Sequence, residues 1–128
     1  MKTYNNLNLI RKHRNGVIAI GNFDGIHLGH QKVINEAKKK AKKNKLSFGL
    51  MTFEPVPVMF FNKKIKNHRI SSLAQKKDQL KKLKLDFLII IKFNKSFSSL
   101  SAEKFIKKII YKKTSCRFLY VSKNFRFG

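Results

Sequence analysis

Acidic residues are scarce in this chain. Its 128 residues hold 6 Asp and Glu against 30 Lys and Arg, a formal net charge of +24. The sequence shows no metal cage, and the excess of cations creates a field that draws polyanions. Cysteine is rarer still. Cys116 stands alone, so no internal disulfide can form, which fits a reducing cytoplasm. Its place beside an apolar run reads as that of a small buried residue. Zinc spacing is missing too: the histidines are His13, His27, His30 and His68, and Cys116 is far from all four. His13 and His68 are expected at the surface. No apolar run reaches membrane-spanning length; the densest, 87–91, is strand-sized. Residues 1–15 are polar and basic, without the apolar centre of a secretory signal. There is no internal repeat, no low-complexity linker and no Walker-type G-x-x-x-x-G-K-[ST] loop. A cytoplasmic domain with no membrane contact is expected.

What is present is a 42% apolar chain of one-domain length, long enough to bury a core. Its elements alternate. Val17 to Ile20 is a continuous apolar run, as in a strand buried on both faces. A helix is expected from about Gly29 to Lys43, with Val33, Ile34, Ala37 and Ala41 as its apolar stripe. Leu46 to Phe53 reads as a second strand. Pro55 and Pro57 then stop regular structure, and a long connection runs to about Ile70. Ser72 to Gln75 fits a capping box, with Leu73, Leu80 and Leu83 behind it. Asp86 to Ile91 is the third strand. Ser101 can cap a further helix, with Glu103 in its first turn and Phe105, Ile106, Ile109 and Ile110 as its buried stripe. Arg117 to Val121 is the fourth strand. Such alternation predicts an α/β, Rossmann-like layout: a parallel sheet with helices on both faces and ligands beyond the carboxyl ends of the strands.

The lysines are scattered along the chain, and runs such as Lys38 to Lys40 fall on the polar side of the first helix. With abundant Asn, Ile and Phe they suggest a compositional bias of the source genome and a solvated surface. A dedicated nucleic-acid surface would use arginine forks and clustered aromatics, so nucleic acid is not an expected partner.

The segment Gly21-Asn22-Phe23-Asp24-Gly25-Ile26-His27-Leu28-Gly29-His30 follows the first strand and opens the first helix. Glycines let the backbone turn tightly and approach a ligand. The helix start offers unpaired amides and a positive dipole end, which suits phosphate. His27 and His30, three apart around that start, can donate hydrogen bonds to the same phosphate. Phosphoryl and nucleotidyl transfer ask mainly for positioned groups that stabilise charge.

His27-Leu28-Gly29-His30 matches the H-x-G-H signature of the nucleotidyltransferase superfamily. The longer string resembles that of the bacterial bifunctional riboflavin kinase/FMN adenylyltransferases (FAD synthetases). Thr52-Phe53-Glu54-Pro55-Val56-Pro57 resembles the family's T-F-[DE]-P-H-P, with Val56 where histidine is usual. Val121-Ser122-Lys123-Asn124-Phe125-Arg126-Phe127-Gly128 resembles its V-G-x-[DN]-F-x-F-G, with Ser122 where glycine is usual. The stretches 69–73 and 93–105 also look like the family, so the resemblance covers about Gly16 to Gly128.

The resemblance implies the nucleotidyltransferase form of the Rossmann-like fold and the reaction FMN + ATP → FAD + pyrophosphate. It implies His27 and His30 as catalytic residues. It makes Gly21, Asn22, Phe23, Asp24, Gly25 and Gly29 the ATP cradle, and Pro55, Pro57, Phe61, Asn124 and Phe127 the flavin side. Two prolines make a rigid wall, and an aromatic ring can stack on a flat isoalloxazine. No protein metal ligands are assigned; Mg²⁺ is expected with ATP. The family's chains continue with a Ser/Thr-rich segment and a fused riboflavin kinase domain. Residues 1–128 are therefore expected to be an adenylyltransferase domain incomplete at its C-terminus, without the kinase domain. The rival readings are a nucleotidyltransferase for another phosphorylated substrate, and a basic, non-catalytic RNA-binding module.

Overall fold

The apolar runs become parallel strands, and the amphipathic stretches between them become the helices that cover the sheet. The computed structural model describes residues 1–21, 23, 28–54, 73–92, 104–105 and 110–122, with the backbone alone for 28–30, 73 and 76. In chain order these form β1 (Lys2–Tyr4), a 3-10 turn (Arg11–His13), β2 (Val17–Ile20), α1 (Leu28–Asn44) and β3 (Phe48–Glu54). Then come α2 (Leu73–Lys81), β4 (Phe87–Lys92), a helical turn (Lys112–Thr114) and β5 (Phe118–Val121). Every strand pair is parallel, in the order β1-β4-β3-β2-β5. This is the α/β sheet that the alternation predicts.

Alternate side chains of each strand enter one of two cores. Val17, Ala19, Phe48, Leu50, Leu88 and Ile90 point to the face covered by Ile34, Ala37 and Ala41 of α1 and Leu80 of α2. Ile18, Ile20, Met51, Phe53, Phe87, Ile89 and Ile91 point to the other, where they meet Phe105 and Ile110. The rings of Phe53 and Phe105 lie 5.8 Å apart. Of the stripe expected on α1, Val33 is half-buried and the other three members are buried. Cys116 is buried, and burial pushes its thiol pKa up, against the opposing effect of the Thr114 hydroxyl. The caps expected at Ser72 and Ser101, together with Glu103, Ile106, Ile109 and His68, lie outside the described residues.

Helix α1 ends in a Schellman motif: Leu46 N–H donates to Ala41 O at 2.9 Å and Lys45 N–H to Lys42 O at 3.3 Å. The left-handed position is held by Lys45, at φ 54°, where glycine is usual.

Two features differ from expectation. β1 has no counterpart in the sequence reading, because three residues with one aromatic carry no period to detect. His13, expected at the surface, is 4% exposed. Its ring stacks on Phe87 at 4.9 Å, and its Nδ1 lies 2.8 Å from the Tyr4 hydroxyl. Long-range packing buries it, and its polar sequence neighbours give no hint of that.

Phe87 owes its place to Gly49, its register partner on β3. A Cβ on Gly49 would overlap three carbons of the Phe87 ring. The glycine is thus the floor under a stack that rises through Phe87 to His13 and Tyr4.

Candidate active site

Strand order locates the ligand edge. From β2 the chain steps to β3 and then β4 on one side, and β5 returns to the other side of β2. The winding therefore reverses between β2 and β5. In open parallel sheets ligands bind in the crevice beyond the carboxyl ends at such a reversal. The residues that leave β2 and β5 there are Gly21, the first member of one motif segment, and Ser122, the second member of another.

The end of β2 is pinned on both sides, to β3 and to β5. Gly21 N–H donates to Met51 O at 3.1 Å, and Ser122 N–H donates to Ile20 O at 2.9 Å. Side-chain packing across them is tight. A Cβ on Gly21 would lie 2.6 Å from Ser122 Oγ, 3.0 Å from Ser122 Cβ and 3.1 Å from Phe23 Cζ. Position 21 has to be glycine for β5 and the Phe23 ring to approach this closely.

Phe23 has φ 50°, a conformation rare for a bulky side chain. Its ring is fully buried, in the same core as Val17, Ala19 and Phe48. The strained backbone turns away from β2 while the ring anchors the turn from below. Phe23 was assigned by resemblance to the ATP cradle; its side chain is packed inside the fold. Five residues after it, α1 begins at Leu28, with Gly29 and His30 in its first turn. A helix start at this edge directs amide groups and the positive dipole end toward the crevice.

The second motif segment leaves β3 at Glu54, which pairs in register with Lys92 at the end of β4. Thr52 and Phe53 are buried and Glu54 is half-buried. Asn22, Asp24, Gly25, His27, Pro55, Val56, Pro57, Phe61, Asn124, Arg126 and Phe127 lie outside the described residues, and for His30 only the backbone is described. Ser122 is the contact to which sequence reasoning gave no role. Its nearness to Gly21 depends on the pairing of β2 with β5, and nothing local signals that. Among the described residues no three His, Cys, Asp or Glu are grouped for a metal ion, and no described helix is long and apolar enough to cross a membrane.

Comparison with known proteins agrees with this layout. A family profile described as FAD synthetase matches residues 9–128. A bifunctional riboflavin kinase/FMN adenylyltransferase of Buchnera aphidicola subsp. Schizaphis graminum is 45% identical over 121 residues, covering 94% of this chain and 39% of that protein. The Escherichia coli protein of the same name is 33% identical over 112 residues, covering 88% of this chain and 36% of its own. The chain thus spans well under half the length of these relatives. A crystal structure described as a macrolide-efflux protein from Streptococcus pneumoniae superposes with a TM-score of 0.74 at 27% identity, covering 93% of this chain and 40% of that one.

Proposed function

The chain belongs to the FAD synthetase family, and on that premise we propose that it acts as an FMN adenylyltransferase module, making FAD and pyrophosphate from FMN and ATP. The observation that carries this reading is the position of Gly21. The ten-residue H-x-G-H string starts there, beyond the carboxyl end of β2 and beside the β2/β5 reversal.

In this reading a phosphate oxygen of FMN attacks the α-phosphorus of ATP. A new P–O bond forms, the bond from the α-phosphorus to the bridging oxygen breaks, and pyrophosphate leaves. His27 and His30 donate hydrogen bonds to the ATP phosphates and stabilise the charge that builds on them. Amides at the start of α1 share that charge, Gly25 and Gly29 let the backbone come close, and Gly21, Asn22 and Asp24 complete the cradle. Phe23 acts from beneath by holding the turn. Pro55, Pro57 and Phe61 wall the flavin, and Asn124 and Phe127 close on its edge. Mg²⁺ arrives with ATP as part of that substrate and neutralises phosphate charge. The reaction belongs in the cytoplasm, and a fused riboflavin kinase domain, as in the names of the relatives, would supply FMN.

The test is FAD formation from FMN and Mg·ATP, followed by chromatography, with His27→Ala and His30→Ala alongside. FAD made by the native chain and lost in both variants supports the proposal. Saturable ATP and FMN binding without turnover supports the site and shows that these 128 residues do not suffice for catalysis. The proposal fails if neither ligand binds while RNA does, since the +24 charge would then be what matters.

A further inference from the structure

The opposite edge of the sheet holds a buried titratable group that the proposed chemistry does not use. Residues 1–14 form a strap: β1 pairs with β4, Leu7 and Leu9 join the core beneath, and the 3-10 turn brings His13 back over Phe87. Three contacts converge on Tyr4. Its hydroxyl accepts the Ile10 N–H at 3.1 Å and meets His13 Nδ1 at 2.8 Å, and its ring meets the His13 ring edge-on at 5.8 Å. With Ile10 as donor, the hydroxyl hydrogen is left for Nδ1. In the neutral ring with its hydrogen on Nε2, Nδ1 accepts that hydroxyl hydrogen.

We propose that His13 is an acid-released latch: protonating its imidazole frees the strap 1–14 and uncovers the outer edge of β4. A protonated ring gains a hydrogen on Nδ1, so the Tyr4 hydroxyl loses its acceptor. It also places a charge at a buried site, where lost solvation is unfavourable. The charged groups around it come from each packed element. They are the N-terminal amine and Lys2 at β1, Lys12 in the 3-10 turn, and Asp86 at the head of β4; only Asp86 is negative. Burial, more than any of these charges, holds the His13 pKa below its ordinary value; Lys12 adds to this and Asp86 opposes it. The unfolded strap therefore binds more protons than the docked one in this range. Docking is strongest above the ordinary imidazole value of about 6.5 and weakens as pH falls through the lower docked value. Release leaves β4 with unpaired amides and carbonyls, an edge open to association.

The test follows His13 by its imidazole NMR signal and each amide by its exchange protection, in the full chain, from about pH 7.5 to about pH 5. Protection across β1 and β4 should fall at least about ten-fold more than protection across β2 and β3, with the midpoint at the His13 titration. His13→Gln keeps an acceptor for Tyr4 without titrating and should remove that difference. Tyr4→Phe deletes the hydroxyl that favours the neutral ring and should move the His13 midpoint upward. That readout stands even if the glutamine variant fails to fold. The latch is overturned if His13 titrates at or above the ordinary value, if all strands lose protection together, or if His13→Gln responds to pH as the native chain does.

Discussion

The two edges of the sheet use side chains for different ends. At the amino edge the strand entries are tied to one another. Val17 N–H donates to Ser47 O, Asp86 N–H to Phe48 O, and Arg117 N–H to Gly16 O, each at 2.8 Å. Asp86 Oδ2 accepts the Phe48 N–H at 2.8 Å, and the Ser47 hydroxyl donates to Lys12 O at 2.6 Å. No family motif begins there. At the carboxyl edge the strand ends meet through Gly21 and Ser122, and the segments 21–30, 52–57 and 121–128 leave the sheet there. One edge is specified by packing and backbone pairing, which many residue sets can satisfy. In the proposed function the other is specified by chemistry, which few can satisfy. A parallel sheet permits the division because all its strands end on the same side.

Substitutions can break or sharpen that contrast. The largest effect is expected at the carboxyl edge: His27→Ala or His30→Ala should lower FAD formation by about 10²–10³-fold. Unfolding free energies should change by no more than about 0.5 kcal/mol, checked by urea titration of the same samples. Gly49→Ala should do the reverse. Its methyl overlaps the Phe87 ring and lifts His13 with it, for a loss of about 1–3 kcal/mol in stability. A normal urea midpoint for that variant would show that the amino-edge stack is not tight. Gly21→Ala sits between the two cases. It should weaken both stability and ATP binding, and Ser122→Gly in the same chain should restore about 1–2 kcal/mol of the stability, because Ser122 supplies the two nearest clashing atoms. Additive effects in that double-mutant cycle would count against the contact. Asp86→Ala removes a charged acceptor from the Phe48 amide at a partly exposed position, and a loss of about 1 kcal/mol is expected by thermal melting. Lys45→Gly should stabilise slightly, by up to about 1 kcal/mol, because φ 54° suits glycine and Lys45 lies at the amino edge, away from the proposed chemistry.

Legibility followed the same division. β2 begins and ends where its apolar run does, and β3, β4 and β5 start one or two residues later than the runs suggest, because Ser47 and Asp86 serve as turn partners. Helix α1 extends one residue beyond its expected span at each end. The resemblance of the H-x-G-H string was readable because it lies within ten consecutive positions, and its first residue, Gly21, follows β2 as expected. β1 and the burial of His13 were not readable. Both depend on Phe87, which lies far away in sequence, and on the glycine beneath its ring. Phe23 carried a mixed signal: its motif pointed to the cradle, while its ring and left-handed backbone belong to the packing that holds the turn.

The sequence by itself determined which apolar runs are buried, in what order they alternate, and which residues the proposed nucleotide chemistry would use. Those properties reside in local periodicity and local residue type. Tertiary structure alone decided that β5 returns beside β2, which sets Ser122 against Gly21, and that a polar N-terminal segment folds back to bury His13. Both depend on atoms distant in the chain being brought within van der Waals reach, and no local pattern encodes that distance.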